Sequence, residues 1–216
     1  MADRRIRVIV GPTAAGKSMR AMEAAAREDI AIISADSRQI YRKFDIGTAK
    51  PTPEELARVV HFGVNVVDPA EHYSAYQWAR DAARWIGEAD RLGKVPVVVG
   101  GTGFYVKSLF DPPYDDPPVA GFRWIPEYEV VDPGPDLRKH IETRVDWMLE
   151  NGWLDEVAAL VSSVPADAIA WKASGYRVMR RHLEGEYSLA YARERAIIET
   201  RQYAKRQRTW FRHQLR

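Results

Sequence analysis

The chain contains no cysteine in 216 residues. A disulfide framework, a thiolate metal site and a cysteine nucleophile are therefore excluded. Its five histidines, His61, His72, His140, His182 and His213, lack metal-ligand spacing, and packing or surface roles are expected for them. No apolar run is long enough to span a membrane, and no signal-peptide pattern precedes the first strand. A soluble, cytoplasmic, monomeric protein with no membrane partner is expected. Internal repeats and low-complexity tracts are also missing. Net charge is small, at +2, yet the charge is uneven: eight Arg/Lys and only two Glu lie between Leu189 and Arg216. That imbalance points to a polyanionic partner or to a solvated helix face. A hydrophobic content of 46% suffices for one folded domain.

The most informative stretch is Gly11-Pro12-Thr13-Ala14-Ala15-Gly16-Lys17-Ser18. It satisfies the phosphate-loop pattern G-x-x-x-x-G-K-[ST] at every fixed position. The β-branched run Ile6–Val10 precedes it and reads as a strand, and Met19–Glu28 follows as a helix. A strand, a glycine turn and a helix N-terminus present backbone N–H groups to an anion. Lys17 adds a point charge on the outer phosphates, and Ser18 Oγ is placed to hold Mg²⁺. The loop by itself leaves open whether the phosphate is transferred, departs or anchors.

Ile30–Ser34 reads as a second buried strand ending at Asp36. Ligands of open α/β sheets bind at the carboxyl ends of strands, so Asp36 is placed beside the loop. A carboxylate there can bind metal, act as a base, or cap the turn. Asp45–Pro51 reads as a structured polar loop. Thr52 with Glu55 forms a capping-box pattern that opens a short helix. His61–Val67 is a third strand candidate. Ser74 caps a long helix to Leu92, whose Trp78, Ala82, Trp85, Ala89 and Leu92 repeat at helical spacing and read as core. Val95–Val99 is the most apolar strand and is expected at the sheet centre. It ends in Gly100-Gly101-Thr102, with none of the acidic residue that phosphate-loop nucleotidases carry there. Glycines at that point are expected to let a substrate approach the backbone.

Asp111–Pro135 holds seven of the thirteen prolines and reads as a linker, with Tyr128–Val131 as one possible strand inside it. Helical segments follow. Leu137, Ile141, Val145 and Met148 share one face, and Arg201, Lys205, Arg208 and Arg212 form a basic stripe on the last helix. The expected fold is α/β, a phosphate-loop NTPase-like parallel sheet flanked by helices. One domain is expected, with a sheet region over 1–110, a proline-rich linker over 111–135 and a helical part over 136–216.

Several runs occur in a distinctive order: the phosphate loop, Ser34–Tyr41, Asp45–Pro51, Val67-Asp68-Pro69, Tyr73-Ser74, Gly100–Tyr105, Gly175-Tyr176-Arg177 and Thr200–Gln207. Together they resemble the tRNA dimethylallyltransferase family over about residues 6–110 and 136–213. Asp-Ile-Gly-Thr-Ala-Lys-Pro and Thr-Arg-Gln-x-Ala-Lys-Arg-Gln are the more specific motifs. The resemblance implies transfer of a dimethylallyl group from its diphosphate to the N6 amine of an adenosine near the tRNA anticodon. It implies a diphosphate cradle of Gly11, Thr13, Ala14, Ala15, Gly16, Lys17 and Ser18, with Mg²⁺ on Ser18. Asp36 matches the general base, Thr102 the residue that places the acceptor, and Arg177 a second cation on the leaving diphosphate. Ser37, Gln39, Asp45, Thr48, Lys50, Arg201, Gln202, Lys205, Arg206 and Arg208 are implied to hold the acceptor and its RNA backbone.

Two departures stand out. The helical insertion that family members carry after the Gly-Gly-Thr segment is missing, and Asp111–Pro135 stands in its place. Lys43 replaces a glycine common in relatives. Short relatives that prenylate free adenine nucleotides are therefore an alternative, as are an ATP-dependent small-molecule kinase and a nucleotide- or RNA-binding protein without turnover.

Overall fold

The computed structural model describes residues 4–112 and 124–215. Residues 113–123 of the proline-rich stretch, and Arg216 of the basic tail, lie outside the described residues. Five parallel strands form the sheet: β1 (Arg4–Val10), β2 (Ile30–Ser34), β3 (Val60–Phe62), β4 (Val95–Gly100) and β5 (Trp124–Val130), in the order β3-β2-β4-β1-β5. β4 is central, and its apolar run is buried from Pro96 to Gly100. Helices α1 (Lys17–Ala25), α2 (Pro53–Arg58), α3 (Ala75–Arg91) and α4 (Gly103–Phe110) alternate with the strands. Then come α5 (Leu137–Glu150), α6 (Trp153–Ser163), α7 (Tyr176–Leu183) and α8 (Leu189–Gln214).

Helix ends follow local chemistry. Thr52 and Ser74 both complete capping boxes, with Glu55 and Gln77. α3 buries Trp78, Ala82, Trp85 and Ala89, while Leu92 falls beyond the last helical residue and is 53% exposed. The fully buried Trp78 donates its indole N–H to Ser34 O at 3.0 Å and stacks on Tyr105. It thereby fixes the end of β2, two residues before Asp36. Losing that ring would cost about 3–5 kcal/mol.

Two expectations are corrected here. The third strand stops at Phe62, because Gly63 and Asn65 take positive φ and turn the chain; only Val67 returns, as a parallel bridge to Tyr41. The stretch read as a linker supplies β5, which pairs with β1 along its whole length. Its Pro126 is tolerated because β5 is an edge strand, where a missing N–H costs no ladder bond.

One hydrophobic cluster packs Ile9, Ile32, Val97 and Val99 with Ala21 of α1. The larger cluster joins Ile6, Val8, Ile33 and Val98 to α3, α4 and the C-terminal helices. The helical C-terminal part therefore shares the sheet's core and closes over the carboxyl ends of β1, β2 and β4.

Candidate active site

Three strand ends converge. β1 delivers the phosphate loop, β2 delivers Asp36 and Ser37, and β4 delivers Thr102. The loop turns through Ala14 (φ 61) and Gly16 (φ 96) into α1. An open pocket of about 410 Å³ spreads over it, lined by the loop from Thr13 to Ser18 and by Asp36, Gln39, Lys50, His140 and Arg144. Lys17 Nζ donates to Pro12 O at 2.7 Å, a carbonyl of its own loop. Burial pushes Lys17 down to about 8; the Asp36 charge opposes that shift and the Arg144 charge adds to it. The Ser18 side chain lies exposed at the head of α1.

Asp36 Oδ1 accepts the Arg38 backbone N–H at 2.8 Å, which fixes the carboxylate at the turn after β2. Thr102 Oγ1 accepts the Ser37 N–H at 2.9 Å and donates to Ser37 Oγ at 3.2 Å. The ends of β2 and β4 are thus joined through the side chains assigned to the acceptor.

Four residues of this site escaped the sequence. Arg144 of α5 reaches the loop, its guanidinium donating to Thr13 Oγ1 at 3.3 Å and Thr48 O at 3.4 Å. Burial lowers its pKa while the Asp36 charge raises it, and Lys17, Asp36 and Arg144 line one pocket. Gln207 of α8 accepts the Thr13 N–H at 2.7 Å and donates to Gly101 O at 2.9 Å, bridging the phosphate loop to the end of β4. Tyr203 lines the site beside Thr102 and Ser37, its pKa raised by burial and then by the Asp36 charge. Glu156 accepts backbone N–H groups of Asp45 and Ile46 at 2.8 and 2.6 Å and the Tyr176 hydroxyl at 2.6 Å, clasping the Asp45–Pro51 loop.

One assigned residue sits elsewhere, and three others border the pockets with side chains already bonded to the protein. Arg177 is exposed on α7 and does not line the phosphate-loop pocket; the second cation there is Arg144. The helical turn after Gly175 instead sends Tyr176 inward, against Trp153 and Glu156. Lys50 borders the pocket, with its ammonium already donating to Tyr41 O and to the side chains of Asp45 and Asn65. Thr48 is buried and donates to Phe44 O at 2.6 Å. Gln39 accepts from Ser34 Oγ and donates to Ala49 O at 2.8 Å. These three side chains build the loop. Lys43 takes φ 69, a left-handed conformation that favours glycine. The side-chain directions of Gly100 and Gly101 are filled by the chain, although Gly100 still borders the phosphate-loop pocket. A Cβ on Gly100 would meet Ala35 O at 2.1 Å, and one on Gly101 would meet the Gln207 amide at 2.3 Å. The chain itself makes the close approach.

On α8, Arg201, Gln202, Lys205 and Arg206 are exposed, and the first three line a groove of about 480 Å³ shared with Arg138. Arg208 lines it too, but binds the Asp132 carboxylate and Gly134 O. Among the described residues no helix is long and apolar enough to cross a membrane.

The arrangement brings a desolvated lysine and arginine to an anion loop, with one carboxylate and one threonine hydroxyl at its edge. The IPP transferase family model matches residues 39–123 and 126–214, and the isopentenyl transferase model matches residues 4–62. The chain belongs to the IPP transferase family. The tRNA dimethylallyltransferase of Synechococcus sp. (strain JA-2-3B'a(2-13)) is 33% identical to this member, over 96% of this chain and 76% of that relative. The tRNA dimethylallyltransferase of Sorangium cellulosum is 35% identical, over 96% and 87%. Two solved structures share the fold. The tRNA isopentenylpyrophosphate transferase of Bacillus halodurans gives a TM-score of 0.83 at 29% identity, covering 99% of this chain and 88% of that one. The enzyme of Staphylococcus epidermidis gives 0.82 at 28%, covering 97% and 90%. The alignment to the Synechococcus relative spans 269 positions against 216 residues here, so that relative carries residues with no counterpart in this family member. The family match breaks between 123 and 126, inside the proline-rich stretch.

Proposed function

We propose that this IPP transferase transfers a dimethylallyl group from dimethylallyl diphosphate to the N6 amine of an adenosine near the anticodon of tRNA. The observation that carries the reading is the convergence of Lys17, Arg144 and Asp36 on one pocket over the phosphate loop, with the Thr102 hydroxyl bonded to Ser37 next to Asp36. In the reaction the N6 nitrogen attacks the allylic carbon, the carbon–oxygen bond breaks, and diphosphate departs with the electron pair. Loop N–H groups, Lys17 and Arg144 stabilise the charge that develops on the leaving oxygens, the largest catalytic contribution in such a site. Asp36 accepts the N6 proton, and Thr102 with Ser37 holds the amine in line. The target base must leave its stack to reach a pocket at the strand ends.

Mg²⁺ suits the site. The exposed Ser18 hydroxyl at the loop offers one oxygen, and magnesium takes its remaining ligands from diphosphate and water rather than from a protein cage. When bound, the ion neutralises part of the diphosphate charge. The groove of Arg138, Arg201 and Lys205 supplies phosphate contacts for the RNA. In this reading the working unit is a monomer and its compartment is the cytoplasm, where tRNA resides.

The test is incubation of the protein with dimethylallyl diphosphate and either bulk tRNA or AMP, followed by mass spectrometry of nucleosides. Prenyl addition to tRNA adenosine is expected. Addition to AMP alone would move the acceptor to free nucleotides, and no adduct on either would overturn the reading.

A further inference from the structure

Gln207 is the only buried polar side chain on α8 among the described residues. It lines neither the phosphate-loop pocket, nor the basic groove, nor the cavity beside Tyr203. Contact with a ligand therefore does not account for it. Both ends of its amide are bonded to the chain: Oε1 accepts the Thr13 N–H at 2.7 Å, and Nε2 donates to Gly101 O at 2.9 Å. These two partners belong to different halves of the proposed reaction. Thr13 lies in the loop that cradles the departing diphosphate, and Gly101 precedes Thr102, the hydroxyl on the acceptor side. We infer that Gln207 is a positioning residue, whose amide sets the separation between the leaving group and the attacking amine. This role rests on the function proposed above and deepens it at the alignment of the two substrates.

The sheet shows why a bridge is needed at this point. β1 and β4 are paired in parallel as far as Val10 and Gly100. Beyond that pair the two segments turn into different helices, α1 and α4. Past the ladder, the hydrogen bonds described between them are the two made by the Gln207 amide. The helix that carries the amide is itself held tightly. Tyr203, Gln207 and Trp210 share one face of α8. Tyr203 lies against Ser37 and Thr102. Trp210 packs so closely on Gly103 that a Cβ there would stand 2.1 Å from the ring. At Gly101 the gap is as narrow, with the Cβ position 2.3 Å from the Gln207 amide nitrogen. Arg144 holds the same Thr13 from α5, through Oγ1 at 3.3 Å. A shift of about 1 Å between reacting groups costs on the order of a hundredfold in rate, so one amide at this junction acts on kcat.

Gln207→Ala removes both bonds. It should lower kcat for prenyl transfer to tRNA by about a hundredfold, with calorimetric affinities for dimethylallyl diphosphate and for tRNA each within about threefold of wild type. Gly101→Ala attacks the bridge from its other end. Gly101 is outside the left-handed region, and the nearest atom its Cβ would meet ends a flexible side chain, so the fold is kept while the amide is displaced. The same split between rate and affinity is expected. The double variant should be no slower than Gln207→Ala alone, because one bridge can be lost only once, whereas independent sites would add. A glutamine that only supports the fold would lower the melting temperature and leave kcat per folded molecule near wild type; that result would overturn the inference. So would additive losses in the double variant, or a loss carried by either affinity. Hydrogen exchange of the Gly11–Lys17 segment reads the bridge without turnover. Exchange at Thr13 should be faster in Gln207→Ala than in wild type, and an unchanged rate would also overturn the inference. If exchange rises as stated while the wild-type protein adds no prenyl group to RNA, the bridge holds and the chemistry proposed for the site fails.

Discussion

Lys17 and Lys50 line the same pocket and have opposite surroundings. Burial lowers the pKa of both. Lys50 has three oxygen partners, Tyr41 O, the Asp45 carboxylate and the Asn65 amide oxygen, which match the three donors of an ammonium. Lys17 has one carbonyl from its own loop, and its nearest charges include another cation, Arg144. A buried charge without an adequate partner is costly, and chains keep one where a ligand completes it. The comparison separates two kinds of motif lysine. That in Asp45–Pro51 holds a loop in shape. That in Gly11–Ser18 awaits an anion.

The largest expected effect sharpens this contrast at the carboxylate that shares the pocket with Lys17 and Arg144. Asp36→Asn should lower kcat by about 10²–10⁴ while leaving donor binding within a few-fold, because it removes a base and no phosphate contact. Steady-state rates with calorimetric donor affinities check this, and a near-normal rate would remove Asp36 from the base role. Next, Lys17→Ala or Arg144→Ala should each reduce kcat/KM by about 10²–10³. Arg177→Ala, an exposed residue outside the pocket, should change it by less than about threefold, in keeping with a solvated charge worth under about 1 kcal/mol. Equal losses at Arg144 and Arg177 would break the placement drawn here.

Lys50→Met should act on stability rather than on chemistry. It strands three oxygen partners, a loss of about 1–3 kcal/mol that thermal unfolding would register as roughly 2–12 °C. Lys17→Met at the same depth should unfold no earlier than wild type, since it removes a desolvated charge. The smallest effect is expected on the surface. Arg201→Ala or Lys205→Ala should each weaken tRNA binding and reduce the slope of log affinity against log salt by about one. A slope that stays flat in wild type and variants alike would make the stripe an ordinary solvated face.

Much of the frame was legible because it rests on local chemistry. The capping boxes at Thr52 and Ser74, the apolar period of α3 and the valine-rich run of β4 each specify structure within a few residues. β5 was legible only in part, as Tyr128–Val131, because the prolines around it mimic a linker, and only the pairing with β1 shows Pro126 on an edge. The site divided along the same line. The phosphate loop, Asp36 and Thr102 follow strands directly, so sheet logic locates them. Arg144 sits beside Val145 on a helix whose apolar stripe drew the reading inward, and nothing in its spacing announces a reach to Thr13. Gln207 and Glu156 join segments more than a hundred residues apart, 194 in one case. Such bridges exist only once the helices pack. At Lys50, Thr48 and Gln39 the motif does not announce that each side chain is also bonded within its own loop.

The central claim is that the phosphate loop cradles a leaving group. The direct measurement is inorganic diphosphate released against prenyl groups added to tRNA, with ATP withheld and then supplied. Equal amounts of the two products, independent of ATP, are predicted. Turnover that requires ATP, or phosphoryl transfer from ATP without diphosphate release from the prenyl donor, would contradict it.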